Sequence, residues 1–564
     1  MVRYPLDVYF LGSEGNNITI QRHGLPVGRR PYMTERYNAL IIGAGIGGLT
    51  AAARLLEEGM RVLVLEADPH PGGTAYAYHR KGFDFPMGPL GFSSPDLVRD
   101  TLIKVGIDEP LELERVYYEL SAFGLRAPLS LPYAEMITRL AVLFPDEEAG
   151  ISRFFSHMRE ISALQDRLAK EGVSRSRKAE SVSAAGYLDR LIGDWRLRRI
   201  LGSMGSREPY SGITLLAAMW SLLCDRGIHY PSGGIRGLSD TLAASLGWEA
   251  PVLGAGGSAA DEHLLNPGGP GSLWLRTEAV EILVEKGMAA GAFLADGTRL
   301  EADAVISNAD FKATFLRLLP RDAVPDEVYR AVAEARQTAS NLQVCLGLDE
   351  SRADLSAYRD ASRIIYRRDG GEVPPREGGP DWDAPEIDPE ALAGEELEAT
   401  LLSADDPALA PEGRAVLVIR VAAPFRHFAR FRPRRKRRIP GYFAYKKSLA
   451  DALVGEASGF IPGLQDAVLY MDVATPLTFE ERGGRSGGAV AGWSWEYLEG
   501  SDQEVVELIR TPIPRLYMAG YQAYSTLALG GVPSAMLSGL KAAEYLLEGA
   551  DPVSGMPIPG GTRD

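Results

Sequence analysis

The sequence predicts a two-domain α/β protein, with a Rossmann-type dinucleotide-binding domain and a second, mixed α+β domain. At 564 residues the chain is too long for one ordinary hydrophobic core. A strand, a glycine turn, a helix and a second strand follow one another from Tyr37 to Glu66, as in a βαβ unit. A helical region at about 146–229 and a β-meander at 273–310 then differ in apolar periodicity, so the two domains are expected to be built from interleaved segments.

The first element is a glycine-rich turn with G-x-G-x-x-G spacing. Gly43, Gly45 and Gly48 lie between an apolar strand and a helix, and Glu66 ends the next strand, eighteen residues after Gly48. The glycines allow a tight turn, approach of a diphosphate to the backbone, and close packing of helix on strand. The carboxylate is placed to accept hydrogen bonds from ribose hydroxyls. This combination predicts a dinucleotide site, and a purely structural glycine turn is the alternative.

The middle of the chain changes from helices to short strands. Apolar residues at three- and four-residue spacing predict helices within 146–229, and one of them, at 213–224, either lines an apolar tunnel or simply packs in a core. Lys286-Gly287 and Asp296-Gly297 then punctuate the apolar runs of 273–310 as hairpin turns.

Composition excludes several classes of protein. The chain is 45% apolar and 24% charged, which is typical of a globular protein, and its net charge of -15 argues against a nucleic-acid partner. Cys224 and Cys345 are the only cysteines, so we expect neither a disulfide framework nor a metal site. No pattern typical of a signal peptide begins the sequence, and the glycine-interrupted run 39–56 is too short for a membrane helix. We therefore expect a cytoplasmic protein.

Two neighbouring segments carry opposite charges. Residues 372–412 hold thirteen acidic residues and one arginine, which predicts an exposed insertion. Residues 425–438 hold eight basic residues interleaved with Phe425, Phe428 and Phe431. Such a segment suits an anionic membrane surface. The alternative is a solvated loop neutralised by the acidic segment before it.

The chain also resembles a known family. The glycine turn with Glu66, and the segment PHPGGTAYAYHRKGFDFPMGP at 69–89, resemble the N-terminal signature of phytoene desaturase-type enzymes, a group that includes carotenoid isomerases and retinol saturases. The resemblance recurs in order at 230–243, 295–310 and 472–495, and again at 515–549. It implies a two-domain flavoprotein that binds FAD.

Carried over by position, the resemblance implies which residues contact FAD. The glycines of the turn and Glu66 would hold the ADP part. Gly72 and Gly73 would approach the phosphates, and later segments would contact adenine and the flavin. The implied residues are Gly43, Gly45, Ile46, Gly47, Gly48, Glu66, Ala67, Gly72, Gly73, Thr74, Met87, Gly88, Ala279, Val280, Asn308, Ala309, Gly520, Gly531 and Val532.

Two positions depart from the family pattern. Relatives often have a basic residue directly after the double glycine, whereas this chain has Thr74. Many flavoproteins have an acid after the glycine that ends the last strand, whereas Gly520 is followed here by Tyr521. Backbone groups or Gln522 are the expected replacements at the second position.

The predicted domains follow from this arrangement. The FAD-binding domain is assigned to 37–120, 230–345 and 505–549, and the substrate domain to 121–229 and 346–504. Residues 1–36 form an N-terminal extension whose role is not evident from the sequence.

The resemblance implies chemistry carried out by the flavin on a hydrophobic substrate. Desaturation, saturation or isomerisation of a polyene or isoprenoid needs no catalytic triad or paired carboxylates, and the sequence shows none. Candidate pocket residues are the aromatics of glycine-rich loops, namely Tyr230, Trp493, Trp495, Tyr521 and Tyr524, with His229 as a candidate proton carrier. Ordinary core packing is the alternative for each. An amine oxidase-like or protoporphyrinogen oxidase-like flavoenzyme, and a catalytically silent FAD-binding scaffold, remain alternative functions.

Overall fold

The computed structural model describes most of the chain from Arg36 onward. The described residues are 36–108, 111–171, 183–203, 212–249, 264–266, 269–368, 381, 383–433, 437–493, 505–526, 530–553, 556 and 558. Predictions that concern residues 1–35 and Trp495 lie outside them.

The strands and helices of the described residues alternate along the chain. The strands are β1 (Tyr37–Ile42), β2 (Val62–Leu65), β3 (Ala77–Arg80), β4 (Phe83–Pro86), β5 (Leu113–Val116), β6 (Tyr118–Ala122), β7 (Leu125–Pro128), β8 (Ile228–Pro231), β9 (Leu264–Leu265), β10 (Gly271–Trp274), β11 (Ala279–Glu285), β12 (Met288–Leu294), β13 (Arg299–Ser307), β14 (Asn341–Asp349), β15 (Arg363–Tyr366), β16 (Leu397–Leu401), β17 (Arg414–Ala422), β18 (Val468–Ala474), β19 (Val505–Glu507), β20 (Leu516–Met518) and β21 (Tyr524–Thr526). The helices are α1 (Ile46–Glu57), α2 (Pro95–Lys104), α3 (Tyr133–Leu143), α4 (Glu148–Glu171), α5 (Ala184–Leu191), α6 (Trp195–Ser203), α7 (Ile213–Trp220), α8 (Gly234–Ala244), α9 (Phe311–Ala313), α10 (Asp326–Glu334), α11 (Pro389–Ala393), α12 (Arg426–Ala429), α13 (Tyr442–Ala457), α14 (Leu464–Ala467), α15 (Pro476–Gly483) and α16 (Gly531–Leu547).

The first sheet has a parallel centre. β1 pairs in parallel with β2 and β13, β10 pairs in parallel with β2, and β20 pairs in parallel with the end of β13. β2 is buried along its whole length and β1 along nearly all of it, as their continuous apolar runs predict for a parallel sheet covered on both faces. This arrangement confirms the predicted Rossmann-type fold class.

The last helix closes this sheet against the first helix. α16 packs on α1 with very little space between the two backbones. A Cβ atom at Gly539 would lie 2.1 Å from the carbonyl oxygen of Gly47, so only glycine permits the contact. The C-terminal strand and helix therefore complete the site that begins at the glycine turn.

The β-meander forms as the turn residues predict. β11, β12 and β13 are antiparallel neighbours. Lys286 and Gly287 have φ angles of 51° and 78°, and Gly297 has a φ of 85°. Positive φ at these positions matches the tight hairpin turns that the sequence indicates.

The second sheet has seven strands in the order β18-β14-β17-β16-β15-β6-β7, and its neighbours are antiparallel except β15 and β6. β14 and β17 pair over their full length, from Asn341 opposite Ala422 to Asp349 opposite Arg414. The predicted boundaries after residues 120 and 345 fall inside β6 and β14, which both belong to this sheet. α7 packs in an apolar core on this side of the molecule with Trp220 fully buried, as in the core alternative for 213–224.

The acidic segment differs from its prediction. Its described part, 383–412, is not an exposed insertion, because it contains α11 and β16, and β16 lies between β15 and β17. Leu397 and Ala399 are fully buried there. The prediction used the high acidic content and overlooked the short segment LEATL. Its alternation of apolar and polar side chains is typical of a half-buried strand.

The described part of the basic segment contains buried rings and paired cations. Phe428 and Phe431 are buried in a core with Tyr442 and Tyr445, so their rings do not face the surface. The Arg430 guanidinium lies 2.6 Å from the Glu386 carboxylate, and Arg438 and Arg432 pair with carboxylates of α15. The Arg430 contact matches the alternative of neutralisation by the acidic segment, whereas the partners of Arg432 and Arg438 lie outside that segment. Among the described helices, none is both long and apolar enough to cross a membrane.

Candidate functional site

A cavity of about 650 Å³ is lined by residues of both sheets. All the predicted cofactor contacts line it, apart from Gly48 and Met87. The part contributed by 42–91, 277–318 and 518–535 is called the first-sheet lining below. The part contributed by β14, β17 and the segment 479–491 is called the second-sheet lining.

The glycine turn is the tightest part of the first-sheet lining. Gly43 has a φ of 98°, which favours glycine. A Cβ atom at Gly48 would lie 2.2 Å from the Gly43 carbonyl oxygen, so Gly48 lets α1 pack on the turn without itself lining the cavity. The N-terminus of α1 is thereby held close to the backbone of the turn, where it favours an anion.

A second glycine segment lies beside this turn. The Gly72 N–H donates to the Ala44 carbonyl oxygen at 2.8 Å. Gly72 and Gly73 have φ angles of 102° and 58°. Two stretches of backbone, each without Cβ atoms, therefore border the same part of the cavity, as a diphosphate requires.

Glu66 lies at the end of β2 and is buried. Its carboxylate accepts hydrogen bonds from the N–H groups of Ala44, at 2.8 Å, and Asp68, at 2.9 Å. Burial raises the pKa of Glu66 to about 7, against the opposing effect of these hydrogen bonds. Each oxygen keeps a lone pair for a hydroxyl donor.

Asn308 lies between the glycine turn and the last strand. Its amide nitrogen is 3.4 Å from the Gly43 carbonyl oxygen, and its Oδ1 is buried with no hydrogen-bond partner among the described residues. A Cβ atom at Gly45 would lie 2.7 Å from the Asn308 Nδ2. A ligand donor in the cavity would satisfy the unpaired Oδ1.

Tyr521 and Gln522 follow the last parallel strand and also line the cavity. The Gln522 Oε1 accepts from the Phe311 N–H at 2.8 Å. The Tyr521 hydroxyl and the Gln522 Nε2 are buried, and neither has a partner among the described residues. Burial raises the pKa of Tyr521, so its hydroxyl stays protonated near neutral pH and can donate to a ligand oxygen.

The second-sheet lining was not predicted from the sequence. Arg420 on β17 donates from Nε to the Gln343 Oε1 at 2.9 Å, and also to the Gly88 carbonyl oxygen. The Gln343 Nε2 donates to the Pro86 carbonyl oxygen at 3.1 Å. Burial lowers the pKa of Arg420 but leaves it a cation. One signal was present in the sequence: a single arginine in the otherwise apolar end of RAVLVIRVA.

The segment that follows α15 completes the second-sheet lining. Ser486 donates from Oγ to the Asp310 Oδ1 at 2.5 Å, and Ser340 donates from Oγ to the Gly488 carbonyl oxygen at 2.6 Å. Arg485 donates to Thr74. Asp310 and Arg485 were also not predicted as site residues, because their partners are distant in sequence.

Most of the predicted aromatic pocket residues pack elsewhere. Tyr521 lines the cavity, whereas Tyr230, Trp493 and Tyr524 are not among the described residues that line it. Trp493 is buried against Phe311, and its indole N–H donates to the Gln522 carbonyl oxygen at 2.9 Å. The large rings of Trp493 and Tyr230 lie in the hydrophobic cores, because burial of an aromatic ring stabilises the fold.

The remaining predicted residues also lie outside the lining. Tyr230 is buried in the core next to the second sheet, and His229 pairs through its backbone with Phe92. Burial lowers the pKa of His229, and its Nδ1 has no partner among the described residues. Met87 is half-buried beside the cavity but does not line it.

Comparison with known proteins places this geometry in a class. Residues 41–102 match the model of an NAD(P)-binding Rossmann-like domain. Among solved structures, cyclohexylamine oxidase from Brevibacterium oxydans superposes with a TM-score of 0.54 over 91% of this chain and 99% of its own, at 16% identity. The chain therefore shares its fold with that oxidase.

Sequence similarity narrows the class further. The chain is 27% identical to a chloroplastic prolycopene isomerase from Daucus carota, over 81% of this chain and 72% of the relative. It is 25% identical to a lycopene-forming phytoene desaturase from Pseudescherichia vulneris, over 78% of this chain and 86% of the relative. The predicted resemblance is confirmed: the chain is a relative of the prolycopene isomerases and phytoene desaturases, and it is an oxidoreductase of the flavin-dependent type.

Proposed function

We propose that this protein is an FAD-dependent oxidoreductase that acts on a hydrophobic polyene or isoprenoid. The observation that carries the proposal is one cavity that combines the features of a dinucleotide site with a lining contributed by a second sheet. The similarity to two kinds of polyene enzyme, each over about four fifths of the chain, supports the same function.

FAD fits the first-sheet lining group by group. The α1 N-terminus and the glycines at 43–47 and 72–73 would hold the diphosphate, and Glu66 would accept from the adenosine ribose. The backbone at Ala279 and Val280 would contact adenine. The unpaired Asn308 Oδ1 would accept a hydrogen bond from the ribityl and flavin part, and the Tyr521 hydroxyl would donate one to it.

When bound, FAD supplies two-electron transfer to or from a carbon–carbon bond. The chain's own residues would bind FAD, orient it and the substrate, and exclude water from the site. Arg420 keeps a positive charge next to Gly88, where the flavin would be held, and that charge would favour negative charge on a bound ring. Gln343 fixes the Arg420 guanidinium by accepting its Nε–H, so the charge is held in one place.

The substrate class is inferred from the relatives. Their names identify prolycopene and phytoene as what they act on. Desaturation, saturation and isomerisation of a long polyene all place the same demand on the protein, which is to hold an apolar chain beside the flavin away from water. The proposal therefore covers the three reactions.

The first experiment identifies the bound molecules. The protein should purify yellow, release FAD on denaturation, and carry isoprenoid lipid that organic solvent extracts. A folded preparation that contains no flavin, and binds none when FAD is added, would contradict the proposal.

Amine oxidation is the main alternative, and the similarity that suggests it concerns the fold alone. Adding aliphatic amines to the oxidised protein in air separates the two functions. We expect no hydrogen peroxide and no bleaching of the flavin. Peroxide release with amines would favour the alternative, and a flavin that no donor can reduce would favour the silent scaffold.

Contact with a membrane surface through 425–438 is proposed as an accessory property. A lipid-soluble substrate makes such contact useful, and the exposed Arg437, rather than the buried Phe428 and Phe431, would contribute to it. Sedimentation with anionic vesicles should fall when Arg434 to Arg438 are neutralised. Equal sedimentation of both proteins would remove this proposal and leave the enzymatic one intact.

A further inference from the structure

We propose that Arg485 supplies the positive charge for the cofactor's diphosphate, and that it does so from the second-sheet lining. This inference rests on the proposed binding of FAD. It assigns a cofactor-binding role to a residue 411 positions away in sequence from Thr74, its partner at the double glycine.

The Arg485 guanidinium contacts the phosphate end of the cavity directly. Its Nη2 donates to the Thr74 Oγ1 at 2.6 Å, and Thr74 directly follows Gly72 and Gly73. Its Nη1 donates to the Val490 carbonyl oxygen at 2.9 Å. Both partners are neutral, so these bonds orient the guanidinium without cancelling its charge.

Arg485 also contacts the other position at which this sequence departs from its family. The central carbon of the guanidinium lies 5.0 Å from the centre of the Tyr521 ring. A cation over an aromatic face is attracted to it. One side chain therefore bridges Thr74, where a basic residue was expected, and Tyr521, where an acid was expected.

The charge of Arg485 has no counterion in the described part of the chain. Arg485 is half-buried and lines the cavity, and none of the described carboxylates forms an ion pair with it. A partly buried cation without a counterion is costly. A diphosphate at Gly72 and Gly73 would provide two negative charges within reach of a planar guanidinium, which binds phosphate in a bidentate manner.

The segment that carries Arg485 is held in place from both sides. A Cβ atom at Gly483 would lie 3.0 Å from the Thr74 Cγ2, and one at Gly492 would lie 3.3 Å from the Tyr521 carbonyl oxygen. Thr338 exchanges two hydrogen bonds with Ala491, at 2.9 and 3.0 Å. Little rearrangement is needed, so the cation is positioned before the cofactor arrives.

The test measures the dissociation constant of FAD at several NaCl concentrations, using protein purified in the presence of FAD. R485Q should raise the constant about tenfold or more, as expected for loss of a charge-assisted hydrogen bond, and should weaken its dependence on salt. R99Q is the matched control, because Arg99 is an exposed arginine paired with Asp96 away from the cavity. We expect R99Q to match the wild type.

A second variant separates charge from loop structure. T74R in the R485Q background moves the cation to the other side of the same contact and should restore most of the affinity. If R485Q binds FAD as the wild type does, or if T74R restores nothing, the inference is wrong. If R485Q does not fold, the rate of FAD release from the wild type is measured at several NaCl concentrations instead. A rate that does not change with salt would overturn the inference. Wild-type protein that binds no FAD would contradict the proposed function instead.

Discussion

The two linings of the cavity use different chemistry. At its diphosphate end the first-sheet lining is built largely of backbone: glycines with positive φ, N–H groups at the start of α1, and one buried carboxylate, Glu66. The second-sheet lining is built of side chains, chiefly Gln343, Arg420 and Arg485, whose donors are oriented by neutral acceptors. The first lining determines whether a dinucleotide fits. The second places positive charge beside the bound dinucleotide.

This difference predicts different responses to mutation. Shape built from backbone tolerates almost no added atoms, because the neighbouring backbone cannot move aside. Charge held by side chains can be removed with less effect on folding, and the loss should appear in affinity and reduction potential. Each prediction below tests one side of this contrast.

The largest effect is expected from G48A. The new Cβ atom would lie 2.2 Å from the Gly43 carbonyl oxygen, so α1 must shift away from the turn. We expect the free energy of unfolding to fall by about 2–3 kcal/mol and FAD to be nearly absent from purified protein. Urea unfolding and flavin content measure both.

G237A is the matched control for that variant. Gly237 lies within α8, and a Cβ atom there would meet only the Ser232 carbonyl oxygen, at 3.8 Å. Alanine should leave the free energy of unfolding unchanged or raise it by about 0.5–1 kcal/mol. Equal destabilisation by G48A and G237A would show that the turn is not the constrained element.

R420M should act on the flavin with a smaller effect on the fold. Removal of the cation beside Gly88 destabilises a reduced, anionic flavin. We expect the two-electron reduction potential to fall by about 30 mV, which corresponds to about 1.4 kcal/mol. R420K should retain most of the wild-type potential, and a potential that is the same in all three proteins would place Arg420 away from the flavin.

Glu66 predicts a pH dependence of FAD binding. Its pKa is raised from 4.5 to about 7 by burial, and ribose hydroxyls bind best to the ionised form. Binding below pH 7 must therefore release a proton, and the dissociation constant should rise by up to about tenfold per pH unit as the pH falls. Above about pH 8 it should be constant.

The same shift has the opposite sign for the protein without cofactor. The protonated Glu66 is favoured by folding, so the free energy of unfolding should decrease as pH rises from about 4.5 towards 7. E66Q removes both dependences. An FAD affinity of the wild type that does not change between pH 5.5 and 8 would contradict the assignment of Glu66 to the ribose.

The smallest effects separate Tyr521 from the other aromatic candidates. Y521F removes a buried, unpaired hydroxyl at the cavity and should weaken FAD binding about threefold, as expected for one hydrogen bond to a ligand. Y524F concerns a residue of β21 outside the lining and should change nothing beyond error. The reverse order of effects, measured by FAD titration, would refute the placement of the two rings.

The linings also differ in how far the sequence predicted them. Gly43 and Glu66 were predicted because close approach of a ligand to backbone restricts the residue type locally, and that restriction is visible in one short segment. Gly72 was implied by the family resemblance. Arg420 and Arg485 could not be predicted in the same way. Their roles depend on partners in other strands and loops. The apolar run around Arg420 marks this arginine as unusual but does not identify its partner, and the residues around Arg485 do not distinguish it from a surface cation.

Errors elsewhere in the fold have similar physical causes. The prediction for 383–412 followed its acidic composition and missed the short apolar alternation that forms β16. A strand that lies between two others needs only a few buried side chains, so the signal in the sequence is short. Trp493 was a pocket candidate because of its place in a glycine-rich loop, with core packing as the alternative. Its ring is instead buried against Phe311, where it stabilises the first core.

One measurement tests the central claim most directly. Purified holoenzyme is mixed without oxygen with carotenes that differ in saturation and in cis and trans geometry, while the flavin absorbance is followed and the carotenes are separated chromatographically. The account predicts that at least one carotene is converted. A desaturation would reduce the flavin, a saturation would oxidise flavin that was reduced beforehand, and an isomerisation would leave the redox state of the flavin unchanged. The account would be contradicted if all carotenes were recovered unchanged with both oxidised and reduced flavin, while an amine did reduce the flavin of the same protein.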